Sequence, residues 1–308
     1  MPLFNSAGVF ARKHFGGRVQ KVAIDAGFSC PNRDGTNGSG GCIYCSNESF
    51  SPFYASAQLT ITKQLAAGIE FYGRRYNTSR FFAYFQSFSG THAPVDVLKA
   101  RYLEALQMPG VEGLIIATRP DCLSSEVIAL LSDFAARTYV RIELGVESFD
   151  DRVLRAINRC HDSDAVFAAL ASLKNAGIDT CIHLIAGLPE EAENSAEEAA
   201  LAVSSSGAVL VKLHHLQIIA RTRLASLYEA GSISFGLHTP DSYLDHVARF
   251  VSFLSPAVYI ERLINRVPPA YLLAPRWGNI TESAFQAMLT RKLADQGLFQ
   301  GAKSGSKR

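Results

Sequence analysis

The sequence predicts an α/β fold built on parallel strands, and three observations carry that prediction. Strand-length apolar runs alternate with helix-length amphipathic segments from residue 21 to residue 220. The segments between consecutive strands are long enough to be crossover helices, which makes the strands pair in parallel. Apolar residues make up 48% of the 308 positions, enough for one large core or two small ones. Right-handed crossovers in one direction coil such a sheet into a full or partial barrel, with a doubly wound open sheet as the alternative. In both, functional residues belong on the loops at the C-terminal ends of the strands.

Strands are expected over 21–27, 81–87, 114–118, 140–147, 180–187 and 209–219. Helical spacing fills 58–76, 95–107, 124–137, 150–157, 164–176 and 190–205. Ser124 supplies an N-cap and Gly177 a stop after Lys174, Asn175 and Ala176. Beyond 220 the alternation weakens into a helix over 221–230, a Gly/Ser break, a helix over 240–254, an apolar run over 258–264 and a helix over 281–296. The expected organisation is an N-terminal extension (1–20), a barrel (21–220), a C-terminal helical cover packed on it (221–300) and a disordered Gly/Ser/Lys tail (301–308).

Charge balance is nearly even, 30 Lys and Arg against 28 Asp and Glu, and Lys303, Lys307 and Arg308 of the tail exceed the net excess of +2. The basic groups Arg12, Lys13, Arg18 and Lys21, and Arg74, Arg75 and Arg80, are short and have no aromatic interleaving. Nucleic acid is therefore permitted as a partner without being selected. Charged residues at 19% and a mean hydropathy of +0.08 exclude bulk disorder. No apolar window is long enough for a spanning helix, and residues 1–17 lack a signal-peptide core, so no membrane contact and a cytoplasmic location are expected. Six cysteines are too few for a disulfide scaffold, and thiols kept reduced suggest metal binding or catalysis.

Three of those cysteines fall together: Cys30, eleven residues, Cys42, two residues, Cys45. A C-x2-C pair with a third thiolate across a loop completes three corners of an iron–sulfur cube and leaves the fourth iron open. Gly35, Gly38, Gly40 and Gly41 give the loop the positive φ values needed to wrap a metal site. A structural zinc site is the alternative, but the nearest histidine, His14, lies across a strand. An unliganded trio would be an oxidation hazard.

The segments KVAIDAGFSCPNRDGTNGSGGCIYC, AYFQSFSGTHAP, ATRPDCL, IELGVESFDDRVLRAINRCHD, HLIAGLPEE and VKLHHLQII together resemble the radical S-adenosylmethionine (SAM) superfamily. The likeness is to its YhcC/YtqA-like branch, near the elongator catalytic subunit and the coproporphyrinogen dehydrogenase group. It runs in order along almost the whole chain. The resemblance implies a partial (β/α)6 TIM-like barrel, a [4Fe-4S] cluster on Cys30, Cys42 and Cys45, and SAM on the open iron. It also implies reductive cleavage of SAM to a 5′-deoxyadenosyl radical that abstracts hydrogen from substrate, with an external electron donor such as flavodoxin or ferredoxin. The superfamily's commonest spacing is C-x3-C-x2-C, and the eleven-residue first gap here matches the branch.

Carried over by position, Tyr44 would pack by the adenine, Gln86, Ser87 and Thr91 would contact the methionine amino group, and Glu147 the ribose or methionine portion. Arg159 matches an arginine that pairs with the SAM carboxylate, and a guanidinium fork suits that group. His183 takes a cofactor-contacting strand position, with a satisfied core histidine as the competing reading. Gly187 and Pro189 would let the backbone approach the adenine. On the sixth strand Lys212, His214 and Gln217 should face the barrel interior, toward cofactor or substrate, with His215 on the other face. Glu261, Arg262 and Trp277 are candidates for the cover.

Cys122, Cys160 and Cys181 are enough for a second cluster, as in sulfur-inserting enzymes, although Cys181 begins a strand and should lie at the far end. A catalytic thiol or hydrogen donor at Cys122 or Cys160 is the other reading. The functional expectation is a radical SAM enzyme acting on a small molecule, a nucleoside or tRNA. Its alternatives are sulfur insertion, a zinc or iron–sulfur binding module without turnover, and an electron carrier, which normally closes all four irons with cysteine.

Overall fold

The computed structural model describes residues 2–232 and 236–305. Among them, α1 (Ala7–Phe15) leads into β1 (Gln20–Ile24), α2 (Ile61–Tyr76), β2 (Phe81–Phe85), α3 (Val95–Leu106) and β3 (Val111–Thr118). Then come α4 (Ser125–Ala135), β4 (Tyr139–Glu147), α5 (Asp151–Ala156), α6 (Ser163–Asn175), β5 (Asp179–Ala186), α7 (Ser195–Ser206) and β6 (Leu210–His215). The C-terminal part adds β7 (Ile218–Ile219), α8 (Arg223–Glu229), α9 (Pro240–Phe253), β8 (Tyr259–Arg262), β9 (Leu272–Ala274) and α10 (Glu282–Asp295).

Seven of the described strands form one parallel sheet in the order β1-β2-β3-β4-β5-β6-β8. Lys21 on edge strand β1 reaches Glu261 on edge strand β8 across the interior, so the sheet curls into a half-barrel. The expected six strands thus become seven: the 258–264 run, read as part of the cover, supplies β8 beside β6. The expected strand over 209–219 breaks after His215, and Ile218–Ile219 pairs antiparallel with β9 instead. Serine, threonine and aspartate caps start several of the helices; Ser124 accepts from Val127 N as expected, and Gly177 (φ +66°) follows α6.

The outer face of the sheet packs on its helices in one apolar core that includes Leu65, Leu98, Phe134, Leu170 and Phe250. The tail departs from expectation. Residues 301–305 form turns tied to α9, with Gly301 N donating to Val251 O and Lys303 N to Ser252 O; Lys307 and Arg308 lie outside the described residues. Upstream, the buried Gln300 donates to Ser255 O and Val258 O and accepts from Asn5 N, which joins the two termini. No helix among the described residues is long and apolar enough to cross a membrane.

α2 lies close on β1 because Gly68 has no side chain: a Cβ there would stand 2.3 Å from Val22 and 2.9 Å from the Tyr54 ring. Gly68→Ala should therefore lower stability by about 1–3 kcal/mol through overpacking. Gly8→Ala in α1, where the nearest atom would be 3.6 Å away, should raise it by up to about 1 kcal/mol through helix propensity. Urea midpoints of the two variants check both signs.

Candidate functional site

The loop after β1 carries Cys30, Cys42 and Cys45 at the C-terminal edge of the sheet. Its shape comes from side chains that satisfy loop backbone. The Asp34 carboxylate accepts from Ser29, Thr36 and His92, which holds it well below the usual carboxylate range. Asn158 donates to Gly41 O at 2.8 Å, and Ile43 N donates to Ile157 O at 3.1 Å, so the loop is fastened to the segment after β4. Gly38 lets that segment come close: a Cβ would stand 2.7 Å from Cys160 Sγ.

Three donors converge on the buried Cys42 sulfur: Arg159 Nη1 at 3.4 Å, Asn32 Nδ2 at 3.5 Å and Arg119 Nη1 at 3.9 Å. Two buried guanidiniums thus face one sulfur. Burial pushes the Cys45 thiol above its ordinary value, and its neighbours Cys42 and Cys30 add to the shift. Three cysteine sulfurs on one loop suit a polynuclear centre, and the donor set fits a [4Fe-4S] cluster. Among the described residues no three His, Cys, Asp or Glu side chains converge on a point for a single ion.

Behind the loop lies a cavity of about 520 Å³ inside the half-barrel. Tyr44, Gln86, Ser87, Glu147, His183 and His214 all line it, together with Cys45. Glu147 sits at a β-bulge between β4 and β5 with φ +67°, strained for a residue with a Cβ. Burial, then Glu147, raises the Tyr44 hydroxyl well above its usual range and keeps it neutral.

Other expected residues lie elsewhere. Arg159 is buried with Nη2 on Gly145 O and 3.5 Å from Glu147, and its other nitrogen is on Cys42. Thr91 faces away, donating to Cys122 O and bonding Thr118 at 2.6 Å, so its hydroxyl is a strut between loops. Neither Cys122 nor Cys160 is among the residues lining the cavity. Burial pushes the Cys122 thiol up to about 12, whereas Cys160 is exposed at φ +58°. Cys181 is wholly buried at the start of β5 beside Phe10 and Leu210. His215 faces away from Lys212 and stacks on Trp277, ring centroids 3.7 Å apart.

The largest omission of the sequence reading is the floor of the cavity. Glu143 of β4 has no exposed side-chain surface and accepts from Tyr84 at 2.7 Å, Arg141 at 3.1 Å, Lys21 and Lys212, with His183 Nε2 at 3.0 Å. Glu261 of β8 meets Arg141 at 2.8 Å, Lys212 at 3.2 Å and Lys21. Burial alone would raise both carboxyls, but these cations hold them well below the usual range. The alternation Arg141-x-Glu143 within an apolar strand was the available signal, since i and i+2 share a face.

A parallel half-barrel with a three-cysteine loop at its C-terminal edge and a polar chamber behind it defines a class of cluster-bearing α/β enzymes. Residues 33–203 match the Radical SAM superfamily, more than half of the chain, and residues 209–293 match the Radical_SAM C-terminal domain. The chain belongs to the Radical SAM superfamily. It is 34% identical over 306 residues to protein YhcC of Escherichia coli (strain K12), covering 98% of this chain and 96% of that protein. To YtqA of Bacillus subtilis (strain 168) it is 32% identical over 298 residues, covering 97% and 92%. In fold it resembles Elp3 of the archaeon Methanocaldococcus infernus at a TM-score of 0.68 and 16% identity, over 92% of this chain and 64% of that one. Membership implies an enzyme with a [4Fe-4S] cluster that cleaves SAM by radical chemistry.

Because both floor carboxylates have depressed folded pKa values, the stability they contribute is complete above their unfolded value of about 4.3 and is lost as pH falls below it. The thermal midpoint should therefore drop as pH is lowered from about 5 toward 3. Glu143→Gln strands Lys21 and Lys212 beside a neutral group and should cost about 3–5 kcal/mol at neutral pH. It should also flatten the acid limb, which thermal melts across pH read directly.

Proposed function

We propose that Cys30, Cys42 and Cys45 hold the [4Fe-4S] cluster, that SAM occupies the cysteine end of the cavity, and that substrate enters from its far end. The observation that carries this reading is the convergence of Arg159, Asn32 and Arg119 on one cysteine sulfur, at the mouth of a chamber that begins at Cys45 and Tyr44. When bound, the cluster passes one electron to SAM and so generates the carbon radical that takes hydrogen from substrate.

The chain's own groups then have distinct tasks. Arg159 and Arg119 donate to the Cys42 sulfur, and Arg159 also orients Glu147. The Glu147 carboxylate accepts hydroxyl hydrogens of a ribose, Tyr44 covers the adenine, and Gln86 and Ser87 offer polar contacts to the amino acid portion. His183, held neutral by burial, and His214 face the substrate side. The curled sheet keeps water from the reacting carbon. The reductant is an external one-electron donor of the flavodoxin or ferredoxin kind.

Hydrogen abstraction without sulfur insertion is the favoured reaction. Cys181, wholly buried, and Cys160, exposed, have different surroundings, and that separation speaks against a shared second cluster. Anaerobic reconstitution should give about four irons per chain and an electron paramagnetic resonance spectrum that SAM shifts. About eight irons would support sulfur insertion, and zinc in place of iron would overturn the reading. Cys42→Ala should lose the iron and SAM cleavage, whereas Cys181→Ala should keep both at a cost of roughly 1 kcal/mol in stability.

A further inference from the structure

The floor of the cavity carries more positive charge than its own carboxylates balance. Lys21, Lys212 and Arg141 surround Glu143 and Glu261, three cations to two carboxylates. Arg262, exposed at the last position of β8, adds a fourth. It lines the same cavity, its Cα is paired with that of Lys212 across the register shift between β6 and β8, and its guanidinium has no ion pair or hydrogen bond among the described residues. Close by, His214 leaves its buried Nε2 without a partner. Its ring is 6.0 Å from that of His183. Burial, then Arg262, keeps His214 neutral, and burial with the nearby Arg141 lowers Lys21 to about 8. Uncompensated cations in a half-enclosed site are costly unless an anion completes them.

The groups involved span the strands: Lys212 is the third residue of β6, Arg262, the last of β8, is paired with it, and His214 lies one residue before the end of β6. Lys21 is the second residue of β1, and the loop begins beyond Ile24, the last. At about 3.3 Å per residue that is on the order of 10 Å along the strand. We propose that the β6–β8 side of the cavity, beside Lys21, is a subsite for an oxyanion of the substrate, a carboxylate or a phosphate. Arg262 grips it, His214 donates a neutral hydrogen bond, and Lys21 and Lys212 provide the field behind it. A planar guanidinium fork with no protein partner is suited to bidentate capture of such a group. The inference rests on reading the cavity as the chamber shared by SAM and substrate.

The test is isothermal titration of the reconstituted full-length chain with inorganic phosphate and with malonate, at constant ionic strength, with and without saturating SAM. One of the two anions should bind the wild type at least about tenfold more tightly than it binds Arg262→Gln, the loss expected for a charge-assisted bidentate contact. SAM should leave that binding unchanged. The preferred anion distinguishes a phosphate-bearing from a carboxylate-bearing substrate. Arg262→Lys should bind with intermediate affinity, and an unchanged thermal midpoint of Arg262→Gln without anion shows that the variant folds. Equal binding by wild type and Arg262→Gln, binding of neither anion, or displacement of the anion by SAM would each overturn the proposal. Iron content of the same sample separates the two readings: anion capture without iron would sink the cluster assignment and leave the subsite standing.

Discussion

Everything in the half-barrel is arranged around one carboxylate that cannot reach water. Glu143 has no exposed surface, and a bare carboxylate there would cost several kcal/mol. Its ionised form survives because β1, β2, β4, β5 and β6 each deliver a polar group to it: Lys21, Tyr84, Arg141, His183 and Lys212. Five parallel strands can aim side chains at one point only if the sheet bends around that point. The two edge strands then meet through Lys21 and Glu261 rather than through a ladder of backbone hydrogen bonds. The curl is fastened electrostatically.

That choice decides what the interior can hold. A closed eight-stranded barrel fills its centre with layers of branched apolar side chains. Here most apolar residues of the strands pack outward against the helices, smaller apolar clusters around Phe82, Ile115 and Leu210 pack with α1, and the rest of the inner face is given to charged and polar groups. An interior built on a few long polar side chains leaves a chamber beside them.

Much of this was legible in the sequence, and the failures have physical causes. The alternation of apolar strands and amphipathic helices from 21 to 220 follows from periodicities set within a few residues, so the order of elements could be read locally. The cysteine loop could be read because Cys42 and Cys45 are neighbours in sequence and glycine marks the turns around them. The seventh strand could not, since its pairing with β6 is decided across the whole 216–258 excursion. Thr91 and Arg159 show a second limit. A hydroxyl or a guanidinium after a strand advertises a polar contact without naming its partner: the Thr91 hydroxyl bonds Cys122 O, and Arg159 bonds Cys42 Sγ and Gly145 O while its buried Nε has no partner among the described residues. The tail misled for a similar reason, because small polar residues conceal its anchors: Gln300 on the 255–258 turn, and the backbone N–H groups of Gly301 and Lys303 on α9.

β4 links the two ends of the chamber. Glu143 fixes the middle of that strand to the floor, and two residues on, Gly145 leaves space that a Cβ would close to 2.8 Å from Arg159. The guanidinium occupies that space, bonds the Gly145 carbonyl and reaches Cys42 on its other side. A bulge at the same point turns Glu147 toward the cavity in a conformation that a residue with a Cβ adopts only when its surroundings impose it. The strain at Glu147 is thus held from both directions, by the floor through the strand and by the cysteine loop through Arg159. Because the brace is made of buried, hydrogen-bonded charges rather than adaptable apolar contacts, it has few alternative arrangements. The spacing between the cysteine loop and the buried charges is therefore set by one strand whose register those charges do not allow to slip.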